Sequence, residues 1–115
     1  MNDLNEVQIV GTLMQNSPLT QTRTGVAACN LKVATQRERV SDRPDATRED
    51  WHHICCYGQI AERAATIPAG TRVRVVGTLQ NRITQLPPQR RLTAIYAKRV
   101  EVVALGHGQP IEPLW

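Results

Sequence analysis

Residues 49–64 read EDWHHICCYGQIAERA, with His52, His53, Cys55 and Cys56 inside five positions and Trp51 and Tyr57 on either side. The stretch is either a metal or thiol centre, or a strand that carries flat rings on one face. A strand has a side-chain period of two, so alternation decides between them. Trp51, His53, Cys55 and Tyr57 fall on one face; His52, Ile54 and Cys56 fall on the other. The four would-be ligands are split, and one face offers only His53 with Cys55. Zinc takes four ligands, or three with an open position, and Cys29 and His107 are remote with no paired spacing. The stretch therefore predicts no metal and no cofactor. A cysteine nucleophile needs a base in reach and a third group to orient it. His53 adjoins Cys55, but no third group or oxyanion motif is legible. The chain also lacks a Gly-rich phosphate loop, a G-x-S-x-G elbow and an H-E-x-x-H pair, so no enzyme is expected.

After Gly58 the period changes. QIAERAATI, residues 59–67, sets Ile60, Ala64 and Ile67 at i, i+4 and i+7, which predicts a short helix stopped by Pro68-Ala69-Gly70. Elsewhere the period is two. Val7, Ile9, Gly11 and Leu13 share one face of EVQIVGTL, and Ala27, Cys29, Leu31 and Val33 one face of VAACNLKVAT. Val73 and Val75 alternate with Arg72 and Arg74 in TRVRVVGTL, and Ile95 and Ala97 share a face in RLTAIYAKRVEVV. The order is strand, strand, strand, helix, strand, strand. That predicts an all-β chain, a five-stranded OB-fold barrel with one short helix between strands 3 and 4. An SH3-like barrel is the competitor, and it usually lacks the mid-chain helix.

Three polar connections are predicted: residues 14–25 (MQNSPLTQTRTG), 36–50 (QRERVSDRPDATRED) and 81–91 (NRITQLPPQRR). The second holds four arginines against five acids. After Val103 the Gly- and Pro-rich ALGHGQPIEPLW reads as a tail, giving a domain over 1–104 and a flexible segment over 105–115.

The chain has 115 residues and a net charge of +4, with twelve arginines and two lysines. Arginine offers a planar, always-charged fork that pairs with phosphate and stacks on rings. A basic, Arg-dominated small domain is compatible with nucleic-acid binding. Three cysteines, two of them adjacent, suit a reducing cytoplasm better than a disulfide framework. The start, MNDLNEVQIVG, has no secretory pattern, and no apolar run approaches a membrane span. Trp, His and Tyr at alternate positions in an Arg-rich barrel suit a single nucleic-acid strand, whose bases stack on rings and whose phosphates need cations. The competing reading makes Trp51 and Tyr57 core residues.

VQIVGTL, TGVAACNLKVAT, DWHHICCYGQIAERA, AGTRVRVVGTL and RRLTAIYAKRVEVV together resemble the bacterial single-stranded DNA-binding proteins over about residues 4–104. The D-W-H…Y-G…A-E run is the most specific piece. The resemblance implies an OB-fold that binds single-stranded DNA without sequence preference, in replication, recombination or repair, usually as a homotetramer. It assigns base stacking to Trp51 and Tyr57, a DNA-facing position to His53 and a subunit contact to His52. Lys32, Arg82 and Arg91 are expected along the path, with Arg37 and Arg39 closing over it. A nucleoid-associated cytoplasmic location and replication or repair proteins as partners follow from the same likeness.

The chain also departs from that family. A stacking aromatic expected before the long loop is replaced by Arg37, Glu38 and Arg39, and one in the last hairpin by Arg82, Ile83 and Thr84. Losing two platforms costs on the order of 2–6 kcal/mol per barrel, less what arginine returns, so weaker and more salt-sensitive binding is expected. QPIEPLW carries one acid, Glu112, and lacks the family's acidic tip. Arg72 and Arg74 would repel across a symmetric contact unless acids answer them, which leaves dimer and tetramer both open. Two alternatives stand beside this reading. One is a component like primosomal replication protein N; the other is an OB-fold that contacts proteins through a degenerate groove.

Overall fold

The computed structural model describes residues 2–37, 48–83 and 87–104. They form β1 (Val7–Asn16), β2 (Thr20–Gln21), β3 (Ala27–Gln36), β4 (Glu49–Tyr57), α1 (Gln59–Ala64), β5 (Arg72–Ile83) and β6 (Arg91–Ala104). The strands join in the order β1-β5-β6-β4-β3-β2, and a β1–β3 pairing closes five of them into a barrel. The all-β OB-fold holds, with the helix between β4 and β5 because the two-residue β2 adds one to the count.

The predicted faces are the observed ones. Leu13, Leu31, Val33, Ile54, Cys56, Val73 and Val75 are fully buried or nearly so, and they form one core with Ile95 and Val100. Every strand but the short β2 contributes to it, because each places an apolar residue inward at every second position. Alternation does not reveal where strands end. Residues 14–16 continue β1 across a bulge between Leu13 and Gln15, inside the predicted loop. Thr20 and Gln21 pair with Ala28 and Ala27, and a turn with Gly25 at positive φ follows. β5 likewise runs on to Ile83, into the third predicted connection.

α1 is shorter than predicted. Past Ala64 the amides of Thr66 and Ile67 donate to the carbonyls of Arg63 and Ala64, three residues back, which tightens the last turn ahead of Pro68. Ala61, Ala64 and Ile67 are all fully buried, so the apolar stripe still seats the helix on the core. Asn16 Nδ2 donates to the Ile67 carbonyl at 2.7 Å and fastens β1 to the end of this segment. Gly58 makes the corner from β4 into α1 at φ 67, a region that favours glycine.

Gly77 is set by close approach. Its neighbours on β6 are Tyr96 and Ala97, and a Cβ at position 77 would run into the Tyr96 carbonyl. The β5–β6 ladder shifts register here, between Val76 and Gly77. Gly77→Ala is expected to push the two strands apart and lower stability by about 1–3 kcal/mol, the usual cost of overpacking. A denaturant midpoint measures it; an unchanged midpoint would show that β6 yields freely.

The expected tail over 105–115 lies outside the described residues, as do Arg39 and the middle of the long loop.

Candidate nucleic-acid interface

The outward face of β4 carries the rings. Trp51 is 49 % exposed and Tyr57 38 %, while Ile54 between them is 0 % exposed. The core reading of the two aromatics is therefore excluded. Antiparallel pairing extends the same face onto β3: Trp51 lies opposite Ala34, His53 opposite Lys32, Cys55 opposite Asn30 and Tyr57 opposite Ala28. Small residues beside the two rings leave their flat sides uncovered from that strand.

On the other side β4 meets β6 in a short parallel seam, Ile54 with Ile95 and Cys55 with Tyr96. Tyr96 thus joins the outward face. Its ring centroid lies 5.8 Å from that of Tyr57, at an interplanar tilt of 38°. The Arg82 guanidinium sits 5.9 Å from the Tyr96 ring centre, in the range of a cation–π contact. Arg82 is opposite Leu92 in the β5–β6 ladder. A cleft of about 200 Å³ opens above the seam, lined by Asn30, His53, Cys55, Arg82, Leu92 and Ala94 among others. A second hollow beside Trp51 and His53 continues it toward Leu79 and Thr93. The Trp51 indole N–H donates to Glu49 Oε1 at 3.1 Å, which fixes one ring edge and leaves the faces open.

The structure brings Trp51, His53, Tyr57, Lys32 and Arg82 onto one surface. Arg91 is exposed on the hairpin arm opposite Ile83, one position from the cleft-lining Leu92. Arg37 is held elsewhere. Its guanidinium donates to both Asp50 oxygens, Nε at 2.7 Å and Nη2 at 2.5 Å, and the Asp50 carboxyl is held below its usual range by that hydrogen bond. Asp50 alternates with Trp51, so this pair belongs with His52 rather than with the rings. His52 is half-buried, with Nε2 2.8 Å from Thr35 Oγ1.

Tyr96 is the residue that sequence reasoning missed. The signal was present, because a strand that turns Ile95 and Ala97 inward must turn Tyr96 outward. What alternation along one strand does not supply is the neighbour: the parallel seam with β4 is a long-range pairing.

Cys29 and Cys56 belong to the core and not to this face. Burial pushes the Cys56 thiol up to about 12, and burial also raises Cys29, whose Sγ donates weakly to the Ser17 carbonyl. Neither forms the thiolate a nucleophile needs at neutral pH. Among the described residues, no three His, Cys, Asp or Glu side chains gather closely enough to hold a metal ion. No helix among them is long and apolar enough to cross a membrane.

Further along β6, beyond Tyr96, Glu101 answers one of the two outward arginines of β5. Arg74 reaches it at 3.3 Å and Arg99 at 2.7 Å, while Arg72 donates to Thr12 Oγ1. The expected repulsion is therefore partly neutralised within the chain.

Comparison with known proteins agrees with this geometry. A single-stranded DNA-binding protein of Deinococcus radiodurans is 28 % identical over 109 residues, a match that covers 91 % of this chain and 36 % of the relative. The chain thus spans about a third of that relative's length. A crystal structure of a deletion mutant of the single-stranded DNA binding protein from Thermus aquaticus superposes with a TM-score of 0.67 at 24 % identity, over 95 % of this chain and 42 % of the other, which is likeness of fold. The model of the single-strand binding protein family matches residues 4–103, and the chain belongs to that family.

Proposed function

We propose that the chain binds single-stranded DNA without base preference and with no chemical step, serving replication, recombination or repair. One observation carries the reading: Trp51 and Tyr57 stand exposed on a single strand face, with Tyr96 beside them and cationic Lys32 and Arg82 at the flanks. Rings stack any base, since every base has a flat π-face, and the cations answer the phosphates. His53 and Arg91 complete the path. Membership of the family and the printed name of the Deinococcus relative support DNA as the ligand. The chain works as a homo-oligomer in this reading, with His52 near a subunit contact, and light scattering with and without oligonucleotide gives its size.

The test is a titration of dT oligonucleotides at low and moderate salt, followed by tryptophan fluorescence in a Trp115→Phe background. Quenching on binding is expected, with an affinity that falls as salt rises by about 0.7 log units per log unit of salt for each phosphate neutralised. No binding at low salt would favour a barrel that contacts proteins instead.

A further inference from the structure

The outward face does not end at the tyrosine pair. Tyr57 closes β4, and the next outward residue of β6 after Tyr96 is Lys98. Val76 pairs with Arg99 and Gly77 with Ala97, so Lys98 is the extra residue of a bulge and has no partner in the ladder. Bulges re-aim side chains. Lys98 lines a cleft of about 300 Å³ between α1 and β6, together with Ile60, Arg63, Arg99, Val100 and Glu101. Three of these six are cations and one is an acid. Glu101 is already engaged by Arg74 and Arg99, and the Lys98 ammonium has no ion-pair partner among the described residues. Ile60 and Val100 supply apolar surface inside this cationic rim. No ring lines this cleft, but Lys98 follows Tyr96 by two residues on β6 and Ile60 follows Tyr57 by three, so along both segments the cleft comes next after the tyrosine end of the groove.

We propose that a single strand leaving Tyr57 and Tyr96 runs on into this cleft, with a phosphate against Lys98. The inference rests on the DNA-binding reading above and extends the path from the sheet onto α1. Charge and continuity with the groove favour a nucleic-acid strand over an acidic peptide as the occupant.

The chain's two lysines make the test direct, because Lys32 lies in the groove opposite His53 and Lys98 lies in the cleft. The protein is acetylated with an amine-reactive ester in the presence of dT oligonucleotides of about 4 to about 16 nucleotides, the span of OB-fold site sizes. Mass spectrometry reads each lysine. Short oligonucleotides are expected to protect Lys32 alone, and longer ones both, with acetylation of Lys98 slowed several-fold. Lys98→Ala, a change at an exposed site, should leave short-oligonucleotide affinity intact and lower the salt slope for long ones by about 0.7, one phosphate contact. If Lys32 is protected and Lys98 never is, the extension fails and the groove stands. If neither is protected, the groove reading fails with it. Protection of Lys98 without any change of slope in Lys98→Ala would mean shielding by another protein copy. Protection by poly-glutamate but by no oligonucleotide would mean a protein contact. Either result overturns the extension.

Discussion

Trp51→Ala is expected to weaken binding of dT oligonucleotides by about 1–3 kcal/mol, the worth of one base stacked on one ring. That is a loss of roughly 5- to 150-fold, at 1.4 kcal/mol for each tenfold. The fluorescence quench should vanish with it in the Trp115→Phe background. Stability should hardly change, because the indole is half exposed and its one fixed contact is a surface hydrogen bond to Glu49. The tyrosines differ. Tyr57 and Tyr96 lean on each other, so each ring holds the other's angle as well as offering a face. Tyr57→Ala and Tyr96→Ala should each weaken binding, and the double variant should lose less than the sum, because removing either ring already frees the other from its set angle. Arg82→Ala belongs to the same unit, since its guanidinium lies over Tyr96. Wild-type affinity in Trp51→Ala would remove the stacking role from β4. Strict additivity of the tyrosine pair would show two independent platforms.

Tyr96 also revises the expected deficit. From sequence, two platforms are missing and two remain. In the fold a third ring stands 5.8 Å from the second, with an arginine over it. Wherever information runs along one strand, as with Trp51, His53 and Tyr57 outward and Ile54 and Cys56 inward, period two is sufficient, because a one-residue slip would bury the rings and expose the core. Wherever it depends on pairing between distant strands, period two is silent. That is why Tyr96 and Lys98 were not singled out, and why Arg37 was expected over the groove while it is bound to Asp50. The bulge that re-aims Lys98 sits across from the close approach at Gly77, and no local pattern in β6 announces it. The helix shows the same division. Its buried stripe is local and legible, while its end at Ala64 depends on how the turn before Pro68 packs.

The face assignment has a sharper consequence at Ile54. It sits between His53 and Cys55, both of which line the groove, yet its side chain is fully buried and lies across from Leu31 and Ile95. Ile54→Ala removes three carbons from a core that five strands share, and should cost about 2–5 kcal/mol of stability. A denaturant titration reads this as a lower midpoint at an unchanged slope. Binding per folded molecule should stay near wild type, because no groove ring rests on Ile54 directly. Trp51 and Ile54 are three residues apart on one strand, and their variants are expected to separate cleanly: one loses DNA and keeps stability, the other the reverse. A barrel laid out this way can change its DNA contacts without touching its core, since the two functions occupy alternate residues of the same segment. Loss of DNA affinity in Ile54→Ala at full stability would reverse the faces, and the groove would have to be sought on the other side of the sheet.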